Sequence, residues 1–480
     1  MHLARKGIAL RPEQCYYSVI NERTDKIMNI VLLIALIIAE AVFASVSIAK
    51  HVNRKKFRLF RGIANAAELL VFFTAAIFTE EVKPGLRFSG LLILLGVRLA
   101  FAGLMIIARR KNGEEVKKTS GIIVSAIMSC LLFVGALMPS FMFADYNGLP
   151  TTGEYEVAMT KAILVDESRT EQFETDGSNR EVPVYFYYPE TDGKEKFPLV
   201  VFSHGAFGYY QSNTSTYMEL ASNGYIVVST EHPYHSMFTT DTDGKKIIAD
   251  MGFLNDVMAA DALTEAETFD KHSEWMKLRT EDVSFALDSI EKACSDGALN
   301  DSWHCDDAAE ITRALDMCDC ESIGLMGHSL GGATAVALGR TRDDVDAVID
   351  FDGTMLGEVI GVENGKEVIN EEAYPLPLLS FNNNEHQRQI DEYKAEGKTY
   401  SNTVVLANAK EGYETCFVGT EHMDFTDLPM FSPFLGSMLG TGDIDTEKSV
   451  TKMNEITLDF FNSYLKNDGS FAVEESYEFS

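Results

Sequence analysis

Apolar residues follow two regimes along this chain of 480 residues. Before residue 145 they come in four long runs, Ile27–Ala49, Ile63–Thr79, Ser89–Ala108 and Gly121–Phe143. Each has about the 17–25 residues that a helix needs to cross a bilayer, so the pattern predicts four transmembrane helices. From about Tyr155 the runs become short and strand-like, at Glu154–Val165, Val182–Tyr188, Pro198–Ser203, Tyr225–Thr230, Ser322–Met326, Val345–Phe351, Leu376–Phe381 and Thr415–Gly419. Helical periodicity lies between them, at Thr216–Asn223, Thr280–Cys294, Gly332–Arg340 and Glu447–Lys466. Several strand runs are hydrophobic at every position, as in a parallel sheet covered on both faces. Such alternation predicts an α/β domain. The chain therefore reads as an N-terminal segment (1–26), a membrane region (27–145) and a soluble α/β domain (146–480). Residues 238–277 interrupt the alternation as an insertion with an amphipathic stretch, Met251–Phe269. That stretch is either a cover over a site or a plain surface helix.

Charge sharpens the division. Residues 1–145 carry 19 Lys and Arg against 10 Asp and Glu, whereas the rest of the chain carries 22 against 62. A basic, apolar front and an acidic rear fit a membrane region followed by a soluble domain. So acidic a domain repels phosphate, which argues against nucleic-acid binding. The loops at Lys50–Arg61 and Arg109–Lys118 hold six and five basic residues, while the one between the second and third runs offsets Lys83 and Arg87 with Glu80 and Glu81. The positive-inside rule puts the two basic loops in the cytoplasm and everything after the fourth run outside. The five basic residues of 1–26 oppose this; translation from Met28 would remove them. Glu40, Glu68 and Arg98 fall inside the apolar runs. Charges there pair or act, and Arg98 is expected to pair with Glu40 or Glu68. The seven cysteines (Cys15, Cys130, Cys294, Cys305, Cys318, Cys320 and Cys416) have no zinc-site spacing. One bridge near Cys294–Cys320 is compatible with the pattern, and the sequence does not give its pairing.

The candidate chemistry centres on Glu321–Arg340. A short apolar strand runs into Gly327-His328-Ser329-Leu330-Gly331 and then into a helix of small residues. This is the strand–turn–helix setting of a G-x-S-x-G nucleophile elbow. Gly327 and Gly331 leave room for the neighbouring strand and helix, and the Leu330 N–H can face a developing oxyanion. A serine nucleophile needs a base, and the base needs an orienting acid. In this architecture the chain order is serine, acid, histidine, which leaves His386 and His422 as bases. His422 follows a strand-like run in the loop Thr420–Phe425 and is preferred, since such sheets place chemistry at strand carboxyl ends. Asp352, at the end of the strand Val345–Phe351, is the acid of choice; Asp350 is the second. The second oxyanion donor is expected after the third sheet strand. There Pro198–Ser203 ends in His204-Gly205, making the Ala206 N–H the donor. His232 and His235, in Glu231-His232-Pro233-Tyr234-His235, lack further ligands for a metal and are read as pocket-lining.

The soluble region resembles the plasma-type platelet-activating-factor acetylhydrolases and their bacterial lipase and esterase relatives, over about Val182–Leu465. The resemblance rests on PLVVFSHGAFG at 198–208, VVSTEHP at 227–233, GHSLGGATA at 327–335, IDFDG at 349–353, EHMDFTD at 421–427 and GDID at 442–445. It implies the α/β-hydrolase fold, a Ser329–Asp352–His422 triad, oxyanion donors at Ala206 and Leu330, and hydrolysis of lipid esters with short or modified acyl chains without metal or other cofactor. The four apolar runs and the insertion depart from that family. The reading is thus a membrane-anchored serine esterase or lipase. Its rivals are a general carboxylesterase or depolymerase acting on non-lipid esters, and a non-catalytic binding protein anchored in the membrane.

Overall fold

The structure, a computed structural model, describes residues 12–79, 82–107, 115–146, 148–259 and 263–479, with side chains from residue 27 on except that of residue 387. Outside it lie Glu80, Glu81, Arg109–Lys111, residues 260–262 of the insertion, and the side chains of Cys15 and of the basic residues in 1–26. The chain forms two compact units, one of residues 1–147 with 431–435, the other of 148–430 with 436–480.

In the first unit four helices, α1 (Pro12–Ala49), α2 (Arg54–Phe78), α3 (Leu86–Ile107) and α4 (Thr119–Met142), carry stretches long and apolar enough to cross a membrane. Helix α2 starts at Arg54 rather than at the predicted Ile63. Asn53 caps it by accepting from the Lys56 N–H, so the basic residues of the first loop occupy its opening turns. A helix needs a cap to begin, not an apolar residue. Leu32, Leu36, Phe72, Phe88, Leu91, Leu95, Phe133 and Leu137 form the inner seam. Arg98 donates to Glu40 and, at 3.1 Å, to Glu68, rather than to one of them, and Arg61 also reaches Glu40 at 2.5 Å. Both carboxylates are fully buried. Replacing Arg98 by leucine leaves Glu68 without its cation and should cost about 3 kcal/mol, read as a lower melting temperature in detergent. An unchanged melting temperature would deny the cluster a structural role.

In the second unit the strands run β1 (Val157–Thr170), β2 (Asn179–Pro189), β3 (Phe197–Ser203), β4 (Ile226–Thr230), a hairpin of β5 (Phe238–Thr240) and β6 (Lys246–Ile248), β7 (Trp303–Cys305), β8 (Cys318–His328), β9 (Ala347–Phe351), a second hairpin of β10 (Val359–Glu363) and β11 (Lys366–Ile369), then β12 (Tyr374–Asn382), β13 (Ala409–Val418) and β14 (Ser476–Glu478). The helices are α5 (Thr214–Ser222), α6 (Met251–Ala259), α7 (Glu265–Asp296), α8 (Ala308–Asp316), α9 (Leu330–Thr341), α10 (Asn384–Ala395), α11 (Ser401–Asn408), α12 (Leu428–Phe431), α13 (Pro433–Leu439) and α14 (Thr446–Leu465), of which α12 and α13 include residues 431 and 433–435 of the first unit. Ten strands form one sheet in the order β14-β13-β12-β9-β8-β3-β4-β2-β1-β7. The pairs from β4 through β3, β8, β9, β12 and β13 to β14 are parallel; β1 and β2 join antiparallel. This is the α/β-hydrolase arrangement, with β8 at the centre.

Both faces of the sheet are covered, which explains the uninterrupted apolar runs. Leu199, Val201, Ile323 and Leu325 pack with Ala286, Ile290 and Val336 of α7 and α9. On the other face Phe202 meets Tyr217 of α5, and Gly324 leaves room for Phe461 of α14, whose ring a Cβ would meet at 2.6 Å. Helix α7 is far longer than the predicted Thr280–Cys294. Thr264 and Glu267 form a capping box at its start, so the end of the insertion is its first turns. The other described elements of the insertion are the β5–β6 hairpin and α6. Cys294, Cys305, Cys318 and Cys320 are free thiols, so no bridge forms in that stretch.

Candidate active site

The parallel register sets the site. Ser203 pairs with Gly327, Gly327 with Asp350, His328 with Phe351, and Phe351 with Phe381. The residues that follow these strands, His204, Ser329, Asp352 and Asn383, therefore stand side by side at the sheet's carboxyl edge, where open α/β sheets keep their ligands.

Ser329 caps α9 with φ 56° and ψ −125°. A non-glycine residue held there is strained by about 1–3 kcal/mol, and such strain persists only where surroundings enforce it. They do so here. A Cβ on Gly331 would lie 1.9 Å from the Ser203 carbonyl oxygen, and one on Gly327 would lie 2.2 Å from that of Gly331. The Ser329 N–H donates to the Phe351 carbonyl at 2.9 Å. Asp352 is the second strained residue of the site, with φ 55°.

Asp352 is buried and collects three donors, with a second imidazole nearby. His422 Nδ1 donates to Oδ2 at 2.7 Å, as does Asn383 Nδ2 at 2.9 Å; the Asn383 N–H reaches Oδ1 at 2.9 Å, and His386 Nε2 stands 3.3 Å from Oδ1. Burial pushes this carboxyl up, but the His422 hydrogen bond and charge, with His386 and Asn383, outweigh it and hold it below the usual range. Asp350 differs. It is fully buried, accepts from the Gly353 N–H at 3.0 Å and the Ser380 hydroxyl at 3.2 Å, and burial beside Asp352 pushes it well above the usual range. It props the turn that carries Asp352. The two candidate bases thus bind opposite oxygens of one acid. His422 is open to the cleft with its side chain 44% exposed, whereas His386 is buried, with Nδ1 3.4 Å from the Tyr400 hydroxyl.

Three further residues have roles that sequence reasoning missed. His328, read as filler of the elbow motif, sets its Nε2 3.0 Å from the His422 carbonyl. A carbonyl only accepts, so Nε2 carries the proton; burial and the nearby His422 push His328 down to about 3 and keep it neutral. Asp424 accepts from the Glu421 and Gly442 N–H groups, and Asp427 from Ser215, which fixes the loop bearing His422 and accounts for the acids of EHMDFTD and the glycine of GDID. No spacing rule singles out such contacts. His232 and His235 do not line the cleft: both are buried beneath it, because Asp282 and Arg279 of α7 draw their imidazoles inward.

A cleft of about 920 Å³ opens over Ser329, Leu330, Asp352, His422 and Ala206. Val257, Thr268, His272 and Trp275 put the insertion on its wall, with Tyr393 and Tyr400 from the far side. Among the described residues the Ala206 and Leu330 amides donate to no other backbone carbonyl. The arrangement supplies a strained serine, an acid-bound imidazole and two unspent amide donors around one opening.

The profile of the family described as platelet-activating factor acetylhydrolase, isoform II, matches residues 150–476. The platelet-activating factor acetylhydrolase of Cavia porcellus is 27% identical over 302 residues, covering 60% of this chain and 62% of that protein. The probable 1-alkyl-2-acetylglycerophosphocholine esterase of Arthroderma benhamiae is 26% identical over 233 residues, 48% of this chain and 45% of that one. A solved ferulic acid esterase from Streptomyces cinnamoneus is 19% identical with a TM-score of 0.47, covering 67% of this chain and 93% of its own. The chain spans less than two thirds of the length of the curated relatives it matches.

Proposed function

Since the chain belongs to the platelet-activating factor acetylhydrolase, isoform II, family, we propose that it is a membrane-anchored serine esterase that removes short or modified acyl chains from lipids. The single observation that carries the reading is the Asp352–His422 hydrogen bond at 2.7 Å beside a serine on a strained elbow. Asp352 holds the His422 proton on Nδ1, which leaves Nε2 free to take the Ser329 proton. Ser329 attacks the ester carbonyl, and the Ala206 and Leu330 amides receive the oxyanion. His422 then protonates the leaving alcohol, and water, deprotonated by the same imidazole, releases the acid from the acyl-enzyme. In this reading the four apolar helices anchor the protein, and the basic loops after the first and third helices support a hydrolase domain outside the cell. The insertion's Val257 and Trp275 set the acyl length.

The test is hydrolysis of p-nitrophenyl acetate, butyrate and palmitate by the full chain in detergent. Serine-dependent turnover that favours the short esters is expected. A preference for palmitate would replace the short-chain reading with a long-chain lipase. A folded protein inert toward all three would favour the non-catalytic binding protein.

A further inference from the structure

Behind the cleft, and lining none of it, lies a sealed polar cluster of His204, His232, His235, Arg279 and Asp282, each at most 3% exposed. Ser203 sits 2.9 Å from His232 Nε2, and His232 Nδ1 lies 3.0 Å from Asp282. These are the contacts of a triad, but all three side chains are closed to substrate. What the cluster does touch is the backbone of the loop that carries Ala206.

Arg279 is fully buried on α7 and forms no ion pair among the described residues. Its neighbour Asp282 is held by Arg180 at 2.7 Å and by His232. Its Nε donates to His235 Nδ1 at 3.4 Å, and its two terminal nitrogens go to carbonyls: Nη1 donates to His204 O, and Nη2 donates to Gly205 O at 3.2 Å. His204 Nδ1 also reaches Gly205 O, at 2.7 Å, and the Gly208 N–H does so at 3.1 Å. Burial and the Arg279 charge keep His204 neutral. Because the carbonyl can only accept, the His204 proton is on Nδ1, which leaves Nε2 as an acceptor 2.9 Å from Ser236 Oγ, a hydroxyl that also faces the His232 carbonyl at 3.0 Å. Gly205 O and the Ala206 N–H belong to one trans peptide, so they point in opposite directions. Holding the oxygen back toward Arg279 turns the N–H forward. Ser329 packs against this peptide: a Cβ on Gly205 would lie 3.1 Å from its Cβ, and Ala206, Ser329 and Leu330 line the same cleft. The next residue, Phe207, has φ 58°, a conformation that persists only while its surroundings enforce it.

We propose that Arg279 is the positioning residue of the oxyanion hole, clamping the His204 and Gly205 carbonyls from behind so that the Ala206 N–H is aimed and polarised toward Ser329. A buried cation without a contacting carboxylate is costly; here it faces the place where negative charge develops. The inference rests on the esterase reading.

The experiment compares the full-length wild type with Arg279→Met, Arg279→Lys and Ser236→Ala. It reads kcat and KM for p-nitrophenyl acetate and inhibition by a trifluoromethyl ketone, which becomes a tetrahedral oxyanion in the site. Arg279→Met should lower kcat about 100-fold with KM little changed, and weaken the ketone in step with kcat/KM. Arg279→Lys should recover part of both, and Ser236→Ala, which removes the partner of His204 Nε2 and loosens the imidazole that holds the Gly205 carbonyl, should show a smaller loss of the same kind. Folded variants with wild-type kcat, or with a loss confined to KM, would overturn the clamp. If neither Arg279 variant folds, Ser236→Ala decides: unchanged kcat and ketone affinity overturn it, and a joint loss supports it. A wild type without esterase activity ends both readings, whereas an active wild type with indifferent variants ends this one alone.

Discussion

Ser329→Ala should lower kcat/KM for p-nitrophenyl acetate by about 10⁵-fold or more and abolish labelling by a fluorophosphonate probe, with the protein still folded. Alanine keeps the Cβ, so it keeps both the strain at φ 56° and the packing between Gly327 and Gly331. Its melting temperature should stay close to that of the wild type. Ser329→Gly should be equally inactive but more stable by about 1–3 kcal/mol, because glycine occupies this conformation without strain. That second arm separates a residue held out of shape for chemistry from one that merely fills a turn. Wild-type turnover by either variant, or fluorophosphonate label on another serine, would remove Ser329 from the reaction.

The architecture was legible because the sheet is buried on both faces. A strand such as Phe197–Ser203, buried throughout, leaves an unbroken apolar run, and the parallel order then brings the strand ends to one edge. The elbow was legible for a steric reason: Gly327 and Gly331 stand where any side chain would strike backbone. Other features needed the folded chain. Arg279 looks like one more cation on a polar helix, and only the packing of α7 under β3 gives it two carbonyls to bind. His328 and Asn383 act through groups far away in sequence, which no spacing reveals. The start of α7 was readable in Thr264-Glu265-Ala266-Glu267, a capping-box pattern; the amphipathic stretch crossing it drew the boundary elsewhere. His232 and His235 show the converse. A histidine pair beside a proline turn suggests a pocket, yet a partner already inside, Asp282, accounts for where His232 went.

The choice of acid carries the second large effect. Asp352→Asn should lower kcat about 10⁴-fold while the cleft keeps its shape. The carboxylate accepts from His422 Nδ1 and from both nitrogens of Asn383, with His386 Nε2 3.3 Å away. An amide has one accepting oxygen. If that oxygen stays with Asn383, its NH₂ meets His422, and the imidazole must place its proton on Nε2, where it can no longer accept from Ser329. Asp350→Asn provides the contrast. That carboxyl is pushed toward its neutral form by burial beside Asp352, and its oxygen serves the Gly353 N–H, a bond an amide oxygen can keep. Its kcat should fall by less than about tenfold, since replacing a neutral acid by its amide costs little when the acceptor is retained. Because Asp352 is held below the usual carboxylate range, it is ionised at every pH where an ester assay is practical, so the Asp352→Asn deficit should be the same at pH 6 and pH 9. Both variants would be assayed by steady-state kinetics across that range. An Asp350 variant as impaired as the Asp352 variant would move the acid two residues back along β9, and an active Asp352→Asn enzyme would leave His386 or a backbone carbonyl to orient the base.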